Sequence, residues 1–268
     1  QILYFFIIIV VREDHRHINR HGLTFAIDLS EGIDLALFIF GSFQKHILRR
    51  VDGLIADDAI ILDVGANIGA MTLPFAQLAP QGYVFAFEPT VLTYQKLVEN
   101  ISLNPQLAGH ITPVNRLVAE KSGESPPSSI YASWKVSGVD RSRHPIHGGI
   151  KQSVSSKTSI SIDDFCLEND IPKVDVIKID TEGDELKVLK GSYKTINAHR
   201  PYVIFEISLY LFKKNKLSFD DYDNFFSRLN YRLFSSKSDR VITQDNYHRH
   251  IPLRYTVDVI AFPCERSH

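Results

Sequence analysis

Short apolar runs alternate with segments of helical period along most of the chain, and buried strands and amphipathic helices leave those two signatures. Residues 23–28 alternate apolar and polar, and the period turns helical after Ser30, which predicts a strand and a short helix. Together with the start of the chain they form an expected N-terminal cap, residues 1–45, leaning on a main domain of residues 46–268. The main pattern begins with a buried strand at 60–64 that runs into a glycine turn and an apolar helix reaching Leu78. A strand at 83–87, a helix opened by Thr90 and stopped at Asn104-Pro105, and a strand at 111–118 follow. Residues 121–157 are rich in Ser, Gly, Pro and His without a sustained period, the mark of a long functional loop, here expected to carry substrate contacts. Beyond it come a short strand at 158–162, a helix capped by Asp163, a buried strand at 174–180, a helix at 185–190 stopped by Gly191, and a strand at 201–207. A helix at 219–229 and an antiparallel pair, 231–234 with 255–262, close the pattern.

Alternating β and α units of this kind imply a doubly wound α/β fold: a mainly parallel, seven-stranded sheet with helices on both faces and an antiparallel C-terminal strand. The apolar run at 2–11 is far short of the ~20 residues a membrane-crossing helix needs, so a buried strand is expected there. Position 1 is Gln rather than Met, which leaves room for a lost upstream anchor or signal.

Composition narrows the partners. Hydrophobic residues at 44% and charged residues at 23% fit a soluble globular protein. A formal net charge of −1 gives no global reason to expect nucleic acid or an anionic membrane surface. Cys166 and Cys264 are widely separated and in no metal-type spacing, so they read as ordinary thiols of a reducing, cytoplasmic compartment.

In open α/β sheets ligands bind beyond the carboxyl ends of the strands, where strand order reverses, and the first βα turn approaches them most closely. Here that turn reads Asp63-Val64-Gly65-Ala66-Asn67-Ile68-Gly69. Gly65 and Gly69 are expected to let backbone pass close to a ligand, and Asp63 to attract a cationic amino group. Glu88, after the next strand, can accept hydrogen bonds from both hydroxyls of a ribose. A dinucleotide fingerprint would want glycine at 65, 67 and 70, and Asn67 and Ala70 stand there instead. The chemistry therefore suits S-adenosylmethionine better than a nicotinamide cofactor.

The set ILDVGANIG at 61–69, FAFEP at 85–89, VDVIKIDTEGDELKVLKG at 174–191 and PYVIFEIS at 201–208 closely resembles the FkbM-type methyltransferase family, as does the leading RHGLTFAIDLSEGID. The resemblance implies a class I methyltransferase (Rossmann-like) fold, S-adenosylmethionine as donor, and O-methylation of a hydroxyl on a sugar or natural-product scaffold. Asp63, Gly65, Asn67 and Gly69 match the family's donor turn and Glu88 its ribose-binding acid. The family often has an acid in the segment that here reads Gly41-Ser42-Phe43-Gln44, and a histidine after the carboxylate matched by Glu206, where this chain has Ile207-Ser208.

Methyl transfer to an alcohol needs in-line alignment and a group to take the hydroxyl proton. Asp180, Glu182 and Glu206 fall at the carboxyl edge of the sheet and are the expected catalytic acids. Structural roles stand beside this one: Asp180 could cap the next helix, and Glu206 could pair with Lys178 or Arg200. His144 and His147 in the long loop could supply an imidazole, and Tyr131 and Trp134 a stacking surface for a small-molecule or glycan acceptor. The pairs His15/His17 and His248/His250 could each present two imidazoles on one strand face, but no third ligand is spaced nearby, so no metal is expected. Asp163-Asp164 and Asp220-Asp221 read as helix starts. Two other functions stay open at this point: a nicotinamide-dependent oxidoreductase, and a binding domain that has kept the fold and lost turnover.

Overall fold

Strand Ile60–Val64 is buried along almost its whole length because it lies at the middle of an eight-stranded sheet, with helices on both faces. The computed structural model describes residues 14–133, 136, 150–253 and 255–266. The run at 2–11, His144, His147 and Trp134 lie outside the described residues, and so does the side chain of Tyr131.

In chain order the elements are β1 (His15–Arg20), β2 (Leu23–Asp28), α1 (Gly32–Phe40), α2 (Lys45–Val51), β3 (Ile60–Val64), α3 (Thr72–Leu78), β4 (Tyr83–Phe87) and α4 (Val91–Ser102). The single turn α5 (Pro105–Ala108), β5 (Ile111–Val114), β6 (Ser129–Ser133), β7 (Ile150–Ser153), α6 (Ile162–Glu168), β8 (Val176–Ile179), α7 (Glu185–Lys190) and α8 (Tyr193–His199) follow. The chain continues through β9 (Tyr202–Ile207), α9 (Leu209–Asn215), α10 (Phe219–Arg228), β10 (Tyr231–Ser235), β11 (Val241–Ile242), α11 (Tyr247–His250) and β12 (Val257–Pro263).

The main sheet runs β11-β10-β12-β9-β8-β3-β4-β5. Its middle strands are parallel, and β12 runs antiparallel between β9 and β10. The seven strands expected from the sequence are present, with the two-residue β11 added at one edge. Strand order reverses between β3 and β8, so a crevice opens beyond their carboxyl ends. One hydrophobic cluster fills the face that α3, α4 and the β1–β2 hairpin cover, and a second fills the opposite face around Phe205, Phe219 and Phe226. Among the described residues no helix is long and apolar enough to cross a membrane.

The β1–β2 hairpin is a separate two-stranded sheet whose second strand would leave backbone groups unpaired on its inner side. Two asparagines at helical spacing satisfy them. Asn104 Oδ1 accepts the Thr24 N–H at 2.9 Å and its amide donates to the Thr24 carbonyl at 2.7 Å. Asn100 Oδ1 accepts the Ala26 N–H at 2.7 Å, while its amide donates to the Ile68 carbonyl at 2.8 Å. Asn100 thus ties the hairpin to the glycine turn after β3.

Several local expectations change. Residues 158–162 make only an isolated bridge, Val118 with Ile160. Ser161, not Asp163, caps α6, its Oγ accepting the Asp164 N–H at 3.1 Å. Asp163 accepts instead the Lys194 and Thr195 N–H groups at the start of α8. The long polar stretch holds the antiparallel β6–β7 pair, whose composition hid it. His248–His250 belong to the short helix α11 rather than a strand. Strand β1 and helices α2, α8 and α9 went unread because their sequences are too polar or too short to show a period.

Asn100→Leu leaves the Ala26 N–H and Ile68 carbonyl unsatisfied in a buried setting, and we expect it to cost about 2–4 kcal/mol in urea unfolding. A loss below about 1 kcal/mol would show that the hairpin is held by packing alone.

Candidate functional site

The turn after β3 is built by contacts within the protein before any ligand is considered. Gly65 has φ +82°, and a Cβ there would lie 1.9 Å from the Asp180 carbonyl oxygen. Gly69 has φ +86° and faces Leu97 Cδ1 at 2.9 Å from such a Cβ. Their glycine character is therefore required by the approach of β8 and α4, a different reason from the ligand contact expected. Between them Asn67 takes the left-handed conformation at φ 51°, doing with a side chain what the absent glycine would do. The Gly65 and Ala66 N–H groups donate to the Phe87 carbonyl at 3.0 and 2.9 Å, which seats the turn on the end of β4.

Glu88 stands just past that strand and is 3% exposed. Its Oε2 accepts the Asn67 N–H at 3.1 Å, and its Oε1 accepts the Thr90 N–H at 2.9 Å and the Thr90 hydroxyl at 2.5 Å. Burial raises its pKa above the usual carboxylate range, against the opposing pull of those hydrogen bonds.

Asp63 does not face the crevice. It is 0% exposed, with Oδ2 accepting the Thr72 hydroxyl at 2.7 Å and Oδ1 lying 3.5 Å from Lys178 Nζ. The same ammonium lies 3.3 Å from Asp180 Oδ2. Burial alone would lower the Lys178 pKa, but Asp180, Asp63 and Asp258 outweigh it and hold the amine charged. Sequence reasoning weighed Lys178 only as a partner for Glu206; the available signal was a charge inside the apolar run of β8.

The Asp180 carboxylate also accepts from Gln44 Nε2 at 3.3 Å, and the same amide nitrogen donates to Asp258 Oδ1 at 3.3 Å. Two carboxylates converging on it fix which end of the Gln44 amide is nitrogen. Asp258 in turn meets His46 Nε2 at 2.8 Å. Beyond Asp180 the chain turns sharply. Glu182 is left-handed at φ 58°, and Glu185 Oε1 gathers the Thr181 N–H, the Thr181 hydroxyl and the Gly183 N–H at 3.0–3.2 Å. Burial pushes Glu185 up to about 7.

Asp180, Glu182 and Glu206 come together, with carboxylate oxygens all within 4.8 Å of one another. Neither structural alternative for them is realised: α7 begins at Glu185, and Arg200 pairs with Glu265 at 2.7 Å. Desolvation, then the neighbouring Asp180 and Glu182 charges, push Glu206 up to about 10, and desolvation with Asp180 holds Glu182 well above its ordinary value. Such a group can retain protons, take a proton from a hydroxyl at its ionised member, or offer oxygen ligands to a hard divalent cation. Tyr210, driven up to about 12 by burial and the same acids, shares the wall.

All of this surrounds one cleft of about 690 Å³, lined by Gly65 and Asn67 at its floor, Glu88 along one arm, and Gln44, Asp180 and Glu206 along the other. That volume falls in the range of small-molecule sites.

The sequence of residues 63–233 matches the methyltransferase FkbM domain. The chain belongs to the FkbM methyltransferase family. It is 32% identical to the hexuronic acid methyltransferase AglP of Haloferax volcanii over 168 residues, covering 61% of this chain and 62% of that protein. It is 27% identical to the 2-O-methyltransferase NoeI of Sinorhizobium fredii, covering 53% of this chain and 61% of the relative. The chain thus spans about three-fifths of the length of these curated relatives. Among solved structures it is similar in fold to the methyltransferase FkbM of Methylobacillus flagellatus KT, with a TM-score of 0.50, 21% identity, and coverage of 82% of this chain and 48% of that one. Gln44, which lies outside the matched range, bridges two acids of the cleft region, Asp180 and Asp258.

Because the folded state favours neutral Glu206, its stabilising contribution is complete below the ordinary glutamate pKa near 4.5 and is lost as pH rises toward about 10. We expect Glu206→Gln to melt higher than the parent at pH 8, by about 1–2 kcal/mol, with little difference at pH 4.5. Equal melting at both values would mean that Glu206 is not crowded by its neighbours.

Proposed function

We propose that this chain is an S-adenosylmethionine-dependent O-methyltransferase whose acceptor is a hydroxyl of a sugar or glycan. The observation that carries the reading is the division of one cleft into a ribose-competent arm and an acidic arm on either side of the glycine turn. Glu88 follows β4 and Asp180 follows β8, with β3 between them, so the arms stand two strand spacings, about 10 Å, apart. A ribose and a cationic amino acid tail joined through sulfur match that division.

Glu88 would hold the ribose hydroxyls, its orientation fixed by Asn67 and Thr90. Gly65 and Asn67 would shape the floor beneath the donor, Gly69 lets α4 pack against the turn, and Asp63 acts behind it, through Lys178 and Thr72. Bound S-adenosylmethionine supplies a methyl group on a sulfonium, the electrophile for in-line displacement. Asp180, held between Lys178 and Gln44, would accept the proton of the attacking hydroxyl. Burial and crowding favour the protonated forms of Glu182 and Glu206, and a protonated member would donate a hydrogen bond to a neighbouring hydroxyl of a polyol and so orient it. The sugar acceptor is supported by the relatives' names, a hexuronic acid methyltransferase and a 2-O-methyltransferase.

Calorimetric titration with S-adenosylmethionine, S-adenosylhomocysteine and a nicotinamide dinucleotide tests the donor. We expect micromolar binding of the first two only, lost in Glu88→Ala while that variant stays folded. Transfer of labelled methyl to a panel of hexuronic acids and neutral sugars, abolished in Asp180→Asn, tests the acceptor. Folded protein that ignores the donor would overturn the reading, and donor binding without transfer to any hydroxyl would leave a binding domain.

A further inference from the structure

The two carboxylate oxygens of Asp180 are not equivalent. Lys178 Nζ lies 3.3 Å from Oδ2, and Gln44 Nε2 donates to the same oxygen at 3.3 Å. Among the described residues no hydrogen bond or ion pair reaches Oδ1, and the side chain keeps 19% of its surface exposed on the cleft wall. Two donors thus meet the lone pairs of one oxygen and leave those of the other unused.

Gln44 holds its place at a cost. Its backbone is left-handed at φ 43°, and its Oε1 is buried without a hydrogen-bond partner. A strained non-glycine backbone and an orphaned buried acceptor persist only where the surroundings impose them. Here Asp258 does so. Its Oδ1 accepts Gln44 Nε2 at 3.3 Å, so that together with Asp180 it decides which end of the amide stands between the two carboxylates, and its Oδ2 meets His46 Nε2 at 2.8 Å. Asp258 stands on β12 opposite Glu206 of β9, while Gln44 and His46 belong to the start of α2, so sheet and helix brace the amide together. Neither Asp258 nor His46 lines the cleft; any influence on a substrate passes through Gln44, or through Lys178, whose charge Asp258 helps to hold.

We infer, on the acceptor reading above, that Asp258, braced by His46, is a positioning residue: it orients the Gln44 amide, which with Lys178 occupies Asp180 Oδ2 and leaves Oδ1 to take the proton of the attacking hydroxyl. The O–H bond breaks toward Oδ1, and the hydroxyl oxygen keeps the electron pair for attack on the methyl carbon. An amide serves here where an acid would not, because a third carboxylate between Asp180 and Asp258 has no N–H to offer either.

Methyl transfer to the sugar panel above tests this in Gln44→Met, which keeps the length of the side chain and removes the amide, in Asp258→Asn, and in the double variant, with melting temperatures and S-adenosylhomocysteine titrations recorded alongside. We expect Gln44→Met to lower kcat about tenfold or more, with KM for the sugar and affinity for S-adenosylhomocysteine within about threefold of the parent. Asp258→Asn should lower kcat about fivefold, and the double variant should fall no more than about twofold below Gln44→Met, because both losses run through one amide. Gln44→Glu should be at least as slow as Gln44→Met. A merely structural role would lower the melting temperature and leave kcat of the folded protein unchanged. Folded Gln44→Met or Asp258→Asn as fast as the parent, or losses that multiply in the double variant, would overturn the inference and leave the acceptor reading intact. A parent that transfers methyl to no sugar would overturn both.

Discussion

An ammonium buried in the middle of a parallel sheet must be matched by charge on every side that lacks water, and Lys178 meets that demand by joining two strands. Its Nζ lies between Asp63 on β3 and Asp180 at the end of β8, the neighbours across which strand order reverses. The crevice that the topology opens there is thus closed from behind by an ion triad rather than by apolar packing. Removing one member of such a group leaves a charge without its partner in a low dielectric, which costs far more than the net value of the pairing. The triad fixes the spacing between the glycine turn and the acids, and the site inherits that spacing.

Two further features follow. Gly65 can have no side chain because the Asp180 backbone presses on it, so the glycine turn and the acidic arm of the cleft are in direct contact. Positive φ angles at Gln44, Asn67 and Glu182, all on the cleft wall, store local strain where side chains must be aimed rather than packed. Crowded carboxylates add to this cost, and the two hydrophobic clusters on either face of the sheet supply the stability that tolerates it.

The βα alternation made the sheet legible, because buried parallel strands are continuous apolar runs bounded by turns. The glycine turn, Glu88, the acids after β8 and Glu206 near the end of β9 were legible for the same reason: each sits at or just past the carboxyl end of a strand that the pattern located. What could not be read was contact between distant segments. Nothing in the sequence says that Asp63 points away from the crevice toward Lys178, that Asp163 caps α8 rather than α6, or that Gln44 spans Asp180 and Asp258 across the N-terminal segment. Polar elements such as β1 and the β6–β7 pair were missed because cross-strand pairing, not hydrophobic period, defines them.

The central claim is that Lys178 holds the site together through its two acids, and a double-mutant cycle on unfolding free energy tests it most directly. Lys178→Met alone is expected to cost about 3–5 kcal/mol. Combined with Asp180→Asn, part of that loss should be recovered, with a coupling of at least about 1 kcal/mol between the two positions. Additive effects, or a Lys178→Met variant as stable as the parent, would contradict the account.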